Sequence, residues 1–337
     1  MAEVVLNRPW SRTFSTLRVS LTQACNQTCS YCVDPKASRA VSAELPPEQL
    51  ALLVEWLHSS LGLHKIKLTG GEPLLGNRIN RFLAALPPLA GVELGLTTNG
   101  QRLEEKLPLL ESYGVRRINV SLDSLDPVRF NQIGGGRLEL TLQGIEAALA
   151  RGFSLKLNQV PMKGINDLDC MPLLEFALHR KMELRFIELM PMGHLQGEGF
   201  ARLFYGLEEL VANLGSRYKV TELMRPFGST ALLFAVSKRT KDLALEDRPV
   251  GSPQGRFGVI ANHSRPFCGD CDRLRLSANG ELVGCLSSGA KFDLKPLLSL
   301  PAPEAQSALR QILAQALATK QPLAFVGSDL GMKTIGG

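Results

Sequence analysis

The chain is short of aromatic side chains, which make up 6% of its 337 residues, with two Trp and four Tyr. That scarcity weakens any reading as a base-stacking surface for single-stranded nucleic acid. There is no dense Lys/Arg run of the kind that forms a nucleic-acid arm. No window reaches the roughly 18 consecutive apolar residues of a membrane span. The opening segment, residues 1–14, lacks the long apolar stretch of a secretory signal. A soluble cytoplasmic protein is expected, with neither membrane nor nucleic acid as partner. With 45% hydrophobic and 21% charged residues the chain is globular, so disorder is excluded. Its length permits a large core that needs no disulfide staple. The net charge of +6 fits an anionic ligand, and equally fits nothing in particular.

Cysteine placement says more than cysteine number. Six of the seven fall into two triplets at opposite ends of the chain, Cys25, Cys29, Cys32 and Cys268, Cys271, Cys285. An odd total without a secretory signal argues against a disulfide framework, and close-set thiols argue for metal. The seventh, Cys170, sits near the start of an expected helix, Leu168–Arg180, and reads as a small core residue.

The first 190 residues alternate strand-like and helix-like pieces. Candidate strands are Leu17–Leu21, Lys65–Thr69, Val92–Thr98, Arg117–Asp123, Ser154–Val160 and Met182–Met190, with amphipathic stretches such as Pro47–Leu61, Leu103–Tyr113 and Thr141–Arg151 between them. A repeat of about 30 residues is the length of a βαβ unit. Six units imply a parallel sheet, open or curled into an incomplete barrel. Strands covered on both faces read as continuous apolar runs, but these alternate. Leu17 and Val19 oppose Arg18 and Ser20; Ile66 and Leu68 oppose Lys67 and Thr69; Leu155 and Leu157 oppose Lys156 and Asn158. One sheet face is therefore apolar, to meet the helices, and the other polar and basic. A complete eight-stranded barrel would fill its interior with branched apolar residues, so a wider, incomplete barrel with a basic lumen fits better. Beyond Gly193, Phe204–Leu223 reads as one or two helices, Thr230–Ser237 and Gly255–Ala261 as strands, Lys238–Gln254 as a polar loop and Pro303–Ala318 as a final helix. Division into residues 1–200 and 201–337 follows.

The first triplet, C-x3-C-x2-C directly after the first strand, can ligate three of the four irons of one cubane cluster and leave the fourth open. Structural zinc completed by a distant residue is the alternative. The second triplet is C-x2-C-x13-C, and C-x2-C alone suggests zinc more often than iron. His263 is the only nearby candidate for a fourth ligand, so a second cluster with an open iron stands beside zinc.

The first triplet, with Tyr31 before its last Cys and Gly70-Gly71-Glu72-Pro73 after the second strand, resembles the radical S-adenosylmethionine (SAM) enzymes. The second triplet, with Arg273-x-Arg275, and the terminal Gly336-Gly337 resemble one family among them, the GTP 3′,8-cyclases of molybdenum cofactor biosynthesis. The likeness runs through nearly the whole chain: Arg18, Leu96–Asn99, Arg117–Asp123, Arg185–Glu188 and Met190 also match.

The resemblance implies an α/β fold, an incomplete (βα)6 barrel with a C-terminal α+β region carrying a second iron–sulfur cluster. It implies two [4Fe-4S] clusters, one on Cys25, Cys29 and Cys32 and one on Cys268, Cys271 and Cys285. Tyr31, Gly71, Glu72, Ser121 and Met190 would surround SAM. Arg18, Lys67, Thr97, Lys156, Arg273 and Arg275 would contact GTP, and Arg273, Arg275, Gly336 and Gly337 would serve catalysis. Where this chain has Lys67 the family commonly has Arg, so a point charge replaces a bidentate fork. The implied reaction cleaves SAM reductively, takes the 3′ hydrogen of GTP and joins C3′ to guanine C8. The implied partners are GTP, a flavodoxin- or ferredoxin-type electron donor and a downstream cyclic pyranopterin monophosphate synthase; a homodimer is compatible. Two rivals are a radical SAM enzyme acting on another substrate such as a peptide, and a zinc-ribbon RNA-binding protein.

Two triplets that each lack a nearby fourth Cys lead to a direct count. Anaerobically reconstituted protein should hold about eight irons, and replacing Cys25, Cys29 and Cys32 by Ala should leave about four. A colourless preparation with stoichiometric zinc would contradict both clusters.

Overall fold

A computed structural model describes residues 14–34, 43–226, 228–238, 254–329 and 331. The first half alternates as the periodicity requires: β1 (Thr16–Ser20), α1 (Pro47–Leu61), β2 (Lys65–Thr69), α2 (Arg78–Ala85), β3 (Glu93–Thr98), α3 (Leu103–Ser112), β4 (Arg117–Ser121), α4 (Pro127–Gly134), α5 (Leu138–Ala150), β5 (Ser154–Gln159), α6 (Cys170–His179) and β6 (Glu183–Ile187). Then come α7 (Glu198–Leu203), α8 (Leu207–Gly215), β7 (Tyr218–Leu223), β8 (Leu232–Lys238), β9 (Gly255–Ile260), β10 (Arg273–Leu276), β11 (Glu281–Val283), β12 (Phe292–Asp293) and α9 (Ala302–Ala318). Among the described residues no helix is long and apolar enough to cross a membrane.

All twelve strands join one sheet in the order β12-β11-β10-β1-β2-β3-β4-β5-β6-β9-β8-β7. Strands β1 to β6 are consecutive and parallel, as the βαβ repeat predicts. The division drawn at residue 200 does not interrupt this sheet. Strand β9 adds in parallel beside β6, and β10 adds in parallel beside β1, so the C-terminal region extends both edges of the partial barrel. The outer face is apolar and dry: Leu17, Val19, Ile66, Leu68, Ile118, Val120, Leu157, Leu184 and Phe186 are buried in one continuous core beneath the helices.

The expected helical stretch Phe204–Leu223 is only half helical. Leu207–Gly215 forms α8, but Tyr218–Leu223 is strand β7, paired antiparallel with β8 from Tyr218 opposite Lys238 to Leu223 opposite Leu233. Its Tyr-Lys-Val-Thr-Glu-Leu sequence alternates and carries two β-branched residues, which suits an edge ladder better than a helix. The expected polar loop falls largely on residues 239–253, outside the described residues.

Glu188, at the end of the β6 segment, ties the two regions together. Its Oε1 accepts from the Leu207 N–H at 3.0 Å, and its Oε2 from the His263 and Ser264 N–H groups, each at 2.9 Å. The carboxylate and the Leu207 donor are buried, so at least that N–H has no ready substitute in water. Glu188→Ala should therefore cost about 1–3 kcal/mol of stability, the cost of leaving the buried Leu207 donor unpaired. Thermal denaturation of the variant beside the parent measures this, and an unchanged midpoint would show that water replaces the clamp.

Candidate active site

Strand register builds the centre of the lumen. Arg18 on β1 lies directly opposite Arg275 on β10 and Lys67 on β2, and Lys67 lies opposite Gly95 on β3. Three cations thus stand side by side on one sheet face at the strand spacing of about 4.8 Å. Arg273 is two residues earlier on β10, and its guanidinium lies over the Phe267 ring at 4.7 Å. Among the described residues, Arg18, Lys67 and Arg273 have no carboxylate partner, and the Arg18 Nε is buried with no hydrogen-bond partner. Burial, then Arg273, pushes the Arg18 guanidinium down to about 10. Burial, then Arg18 and Arg185, brings the Lys67 ammonium from 10.5 to about 7. Burial, then Arg18 and Arg273, holds Arg275 well below its ordinary value.

These cations line a cavity of about 870 Å³ that also reaches both cysteine triplets, Tyr31, Gly71, Glu72, Thr97, Ser121, Lys156 and Met190. The predicted cluster, SAM and GTP residues among the described part of the chain are therefore gathered around one space. Gly336 and Gly337 lie outside the described residues.

At one end of the cavity the first triplet follows β1, and the Gly-Gly-Glu-Pro turn follows β2. The turn is pressed onto the segment leading to Cys25: the Gly71 N–H donates to the Thr22 carbonyl at 2.6 Å, and the Glu72 N–H to the Ala24 carbonyl at 2.8 Å. A Cβ on Gly71 would lie 2.3 Å from the Ala24 oxygen, so only glycine fits. The buried Glu72 carboxylate accepts from the Leu74 N–H, the Thr98 hydroxyl and the Asn99 N–H at 2.6–3.0 Å. It joins the ends of β2 and β3 and holds the turn in shape. Tyr31 donates from its hydroxyl to Asp123 Oδ2 at 2.7 Å, while the Val160 N–H donates to Oδ1 at 2.9 Å. Burial pushes the Asp123 carboxyl up to about 6. His194, from the loop after β6, is 2.8 Å from the Ser30 carbonyl and braces the same cysteine loop.

The second triplet lies at the β10–β11 edge. Burial pushes the Cys271 thiol up, but Arg273 and Lys320 outweigh it and bring it down to about 6. That favours the thiolate, the form a metal binds. His263 packs edge-on against the Phe200 and Phe204 rings, and it does not line the cavity. It is thus no fourth ligand. Among the described residues no three His, Cys, Asp or Glu side chains converge closely enough to hold a single metal ion. A cubane, which takes each thiolate on a different iron, suits thiols set around a cavity wall. All six are thiols, not disulfides. Cys170 is buried in the hydrophobic core, as its bland reading expects.

Sequence reasoning missed the acidic counterweight. Glu183, which lines the cavity, accepts from Lys156 at 2.6 Å and Arg185 at 2.8 Å, and Arg256 lies 3.3 Å away. Burial pushes the Glu183 carboxyl up, and the hydrogen bond from Lys156 with the Arg185 charge outweighs it, so it sits below its ordinary value. Lys156 is therefore already engaged, whereas Arg18, Lys67 and Arg273 are not. Glu183 is the first residue of β6, directly opposite Lys156 in the register, and the alternation of β6 is the only sequence signal that points to it.

A partial parallel barrel with three thiols after its first strand and a Gly-Gly-Glu turn after its second defines a radical SAM enzyme. Residues 19–177 match the Radical SAM superfamily model, and residues 182–325 match Molybdenum Cofactor Synthesis C. A solved structure of SuiB from Streptococcus suis bound to its precursor peptide shares the fold, with a TM-score of 0.61 at 14% identity, covering 84% of this chain and 63% of that one. "GTP 3′,8-cyclase 2" of Pseudomonas aeruginosa is 35% identical over 307 residues, 88% of this chain and 87% of that protein. "GTP 3′,8-cyclase" of Corynebacterium glutamicum is 33% identical over 350 aligned positions, 99% and 89% respectively. The chain belongs to the GTP 3′,8-cyclase family of radical SAM lyases, which use SAM and iron–sulfur clusters.

The crowded cations have a measurable consequence. An unfolded chain keeps the Lys67 proton up to about pH 10.5, and the folded chain only up to about 7. Between those values the unfolded state binds more protons, so stability rises with pH across that window. Lys67→Met should raise the thermal midpoint of the ligand-free protein at pH 7 and flatten its rise toward pH 10. An unchanged midpoint and slope would mean that the ammonium is solvated.

Proposed function

We propose that the chain joins C3′ of GTP to C8 of its guanine, giving (8S)-3′,8-cyclo-7,8-dihydroguanosine 5′-triphosphate, the first step of molybdopterin biosynthesis. The observation that carries this reading is the group of cations at the centre of the lumen, of which Arg18, Lys67 and Arg273 form no ion pair with a carboxylate among the described residues, set in one cavity between two thiol triplets. A triphosphate brings about four negative charges, and charge-assisted contacts in a low-dielectric lumen are stronger than in water. A peptide substrate offers no such match.

Cys25, Cys29 and Cys32 would hold one four-iron cluster, and Cys268, Cys271 and Cys285 the second. When bound, the first cluster and SAM supply one-electron reduction and a carbon radical strong enough to take a ribose hydrogen, which no side chain here can do. The protein's part is placement and exclusion of water. Tyr31, Gly71, Ser121 and Met190 surround SAM, and the Glu72 carboxylate keeps the turn shaped to receive it. Arg18, Lys67, Arg273 and Arg275 oppose the anionic end of GTP. Thr97 adds a hydroxyl from β3. Lys156 and Arg185 join them with their charge already moderated by Glu183. The orphaned Arg18 Nε and the orphaned Asn158 Oδ1 are a donor and an acceptor that a bound nucleotide can satisfy. A flavodoxin- or ferredoxin-type protein supplies the electron, and a cyclic pyranopterin monophosphate synthase consumes the product.

The tail has its own role in this reading. The Ser328 N–H donates to the Pro191 carbonyl at 3.3 Å, and the Gly193 N–H to the Ser328 carbonyl at 2.8 Å. Phe325 lines the cavity and packs beside Met190 and Met192. The chain thus runs along the loop that carries Met190 shortly before its end, which favours delivery of Gly336 and Gly337 to the lumen.

The test is anaerobic turnover with GTP, SAM and a low-potential reductant, read as the cyclised nucleotide by mass spectrometry. Deleting Gly336 and Gly337 should abolish product while iron content and thermal midpoint stay as in the parent, because two terminal glycines bury no side chain. Cleavage of SAM with GTP left intact in the parent would overturn the substrate. Full activity after truncation would overturn the role of the tail.

A further inference from the structure

A half-buried cation beyond the recognised motifs is aimed at the second triplet. Lys320 follows the last turn of α9, and its Nζ donates to Cys271 Sγ at 3.1 Å and to the Arg273 carbonyl at 2.5 Å. It also lies 5.3 Å from the centroid of the Phe14 ring. Among the described residues no carboxylate forms an ion pair with it. The sulfur atoms in its surroundings are those of Cys271 and Cys285.

The backbone from which Lys320 departs is held by close packing. Gly284, just before Cys285, presses against the end of α9. A Cβ there would lie 2.0 Å from the Ala316 oxygen and 2.6 Å from Thr319 Oγ1. The Thr319 hydroxyl in turn donates to the Ala316 carbonyl at 2.7 Å and closes the last helical turn. The helix end and the Cys285 loop are thus in backbone contact. Lys320 leaves that junction with its ammonium directed at Cys271.

We propose that Lys320 sets the reduction potential of the second cluster through a charge-assisted hydrogen bond to the thiolate of Cys271. The inference rests on the assignment of Cys268, Cys271 and Cys285 as ligands of that cluster. Reduction adds one electron, and hence one negative charge, to a cluster that thiolates already make anionic. A fixed positive charge and an N–H donor at a ligating sulfur stabilise that added charge and raise the potential. The chain has a reason to hold this value. Its two clusters open on one cavity, and a second cluster that is too easily or too poorly reduced would alter where an electron entering the lumen resides. Lys320 is a positioning residue in this sense, since it acts through Cys271.

The experiment uses the full-length chain with Cys25, Cys29 and Cys32 replaced by Ala, so that only the second cluster reports. A mediated redox titration with dithionite, followed by electron paramagnetic resonance, gives its midpoint. Lys320→Met should keep about four irons and shift the reduction equilibrium at least tenfold toward the oxidised form, 59 mV for a one-electron couple. Lys320→Arg should restore most of the parent value, and Lys320→Gln, which keeps a donor without the charge, should fall between. Four irons with an unchanged midpoint in Lys320→Met would overturn the proposal. If Lys320→Met loses its iron, Lys320→Gln and Lys320→Arg decide; loss of iron from all three would make Lys320 a residue that retains the cluster and overturn the assignment to potential. If the background protein with Lys320 intact holds no iron, the ligand assignment itself fails, a result distinct from either.

Discussion

Arg275, Arg18 and Lys67 are placed side by side by the hydrogen-bonded register of β10, β1 and β2, and the rest of the cavity is arranged around that constraint. Neighbouring like charges across a sheet repel, and each is partly or wholly removed from water, so the ligand-free lumen is under electrostatic load. What holds it is the other face of the same strands, where Leu17, Val19, Ile66 and Leu68 are fully buried beneath the helices. A slip of one residue in register would exchange these faces, turning cations into the core and leucines into the lumen. Recognition of an anion and stability of the barrel are therefore two sides of one strand pairing.

Buried carboxylates do much of the remaining organisation, and they do it through the backbone. Glu72 joins the ends of β2 and β3, Asp123 holds Tyr31 and the Val160 N–H, and Glu188 gathers three N–H groups from two distant loops. Only Glu183 among these four faces cations, and it divides the lumen into a neutralised side near Lys156 and Arg185 and a positive side near Arg18 and Arg273. Such a division lets one cavity hold a highly charged group at one place without attracting anions everywhere.

Two glycines mark where the chain brings its own segments into contact near the thiols. Gly71 lets the turn after β2 lie against the approach to Cys25, and Gly284 lets the approach to Cys285 lie against α9. In both places an added methyl group would collide with a carbonyl oxygen. The surroundings of each triplet are thereby set by backbone packing, which is stiffer than side-chain contact. Lys320 takes its position from the second of these junctions.

Much of this was legible in the order of the residues. A period of two in each strand separates apolar from polar positions by geometry alone, so Arg18, Lys67, Thr97, Ser121 and Lys156 could be assigned to one face before any fold was known. The spacing of the Cys triplets, too, is a local property that a linear pattern records. What the sequence did not determine was every contact between segments remote along the chain. Lys156 carries no sign that Glu183 engages it, His263 none that two Phe rings pack against it, and Lys320, 35 residues beyond Cys285, none that it reaches Cys271. Strand β7 differs from the helix expected there because its conformation is set by the ladder it forms with β8, the next strand, and not by its own short sequence alone. Local pattern fixes which way a side chain points from its own element; only tertiary packing decides what it meets there, because that depends on how neighbouring elements are placed and on the hydrogen bonds they must complete together.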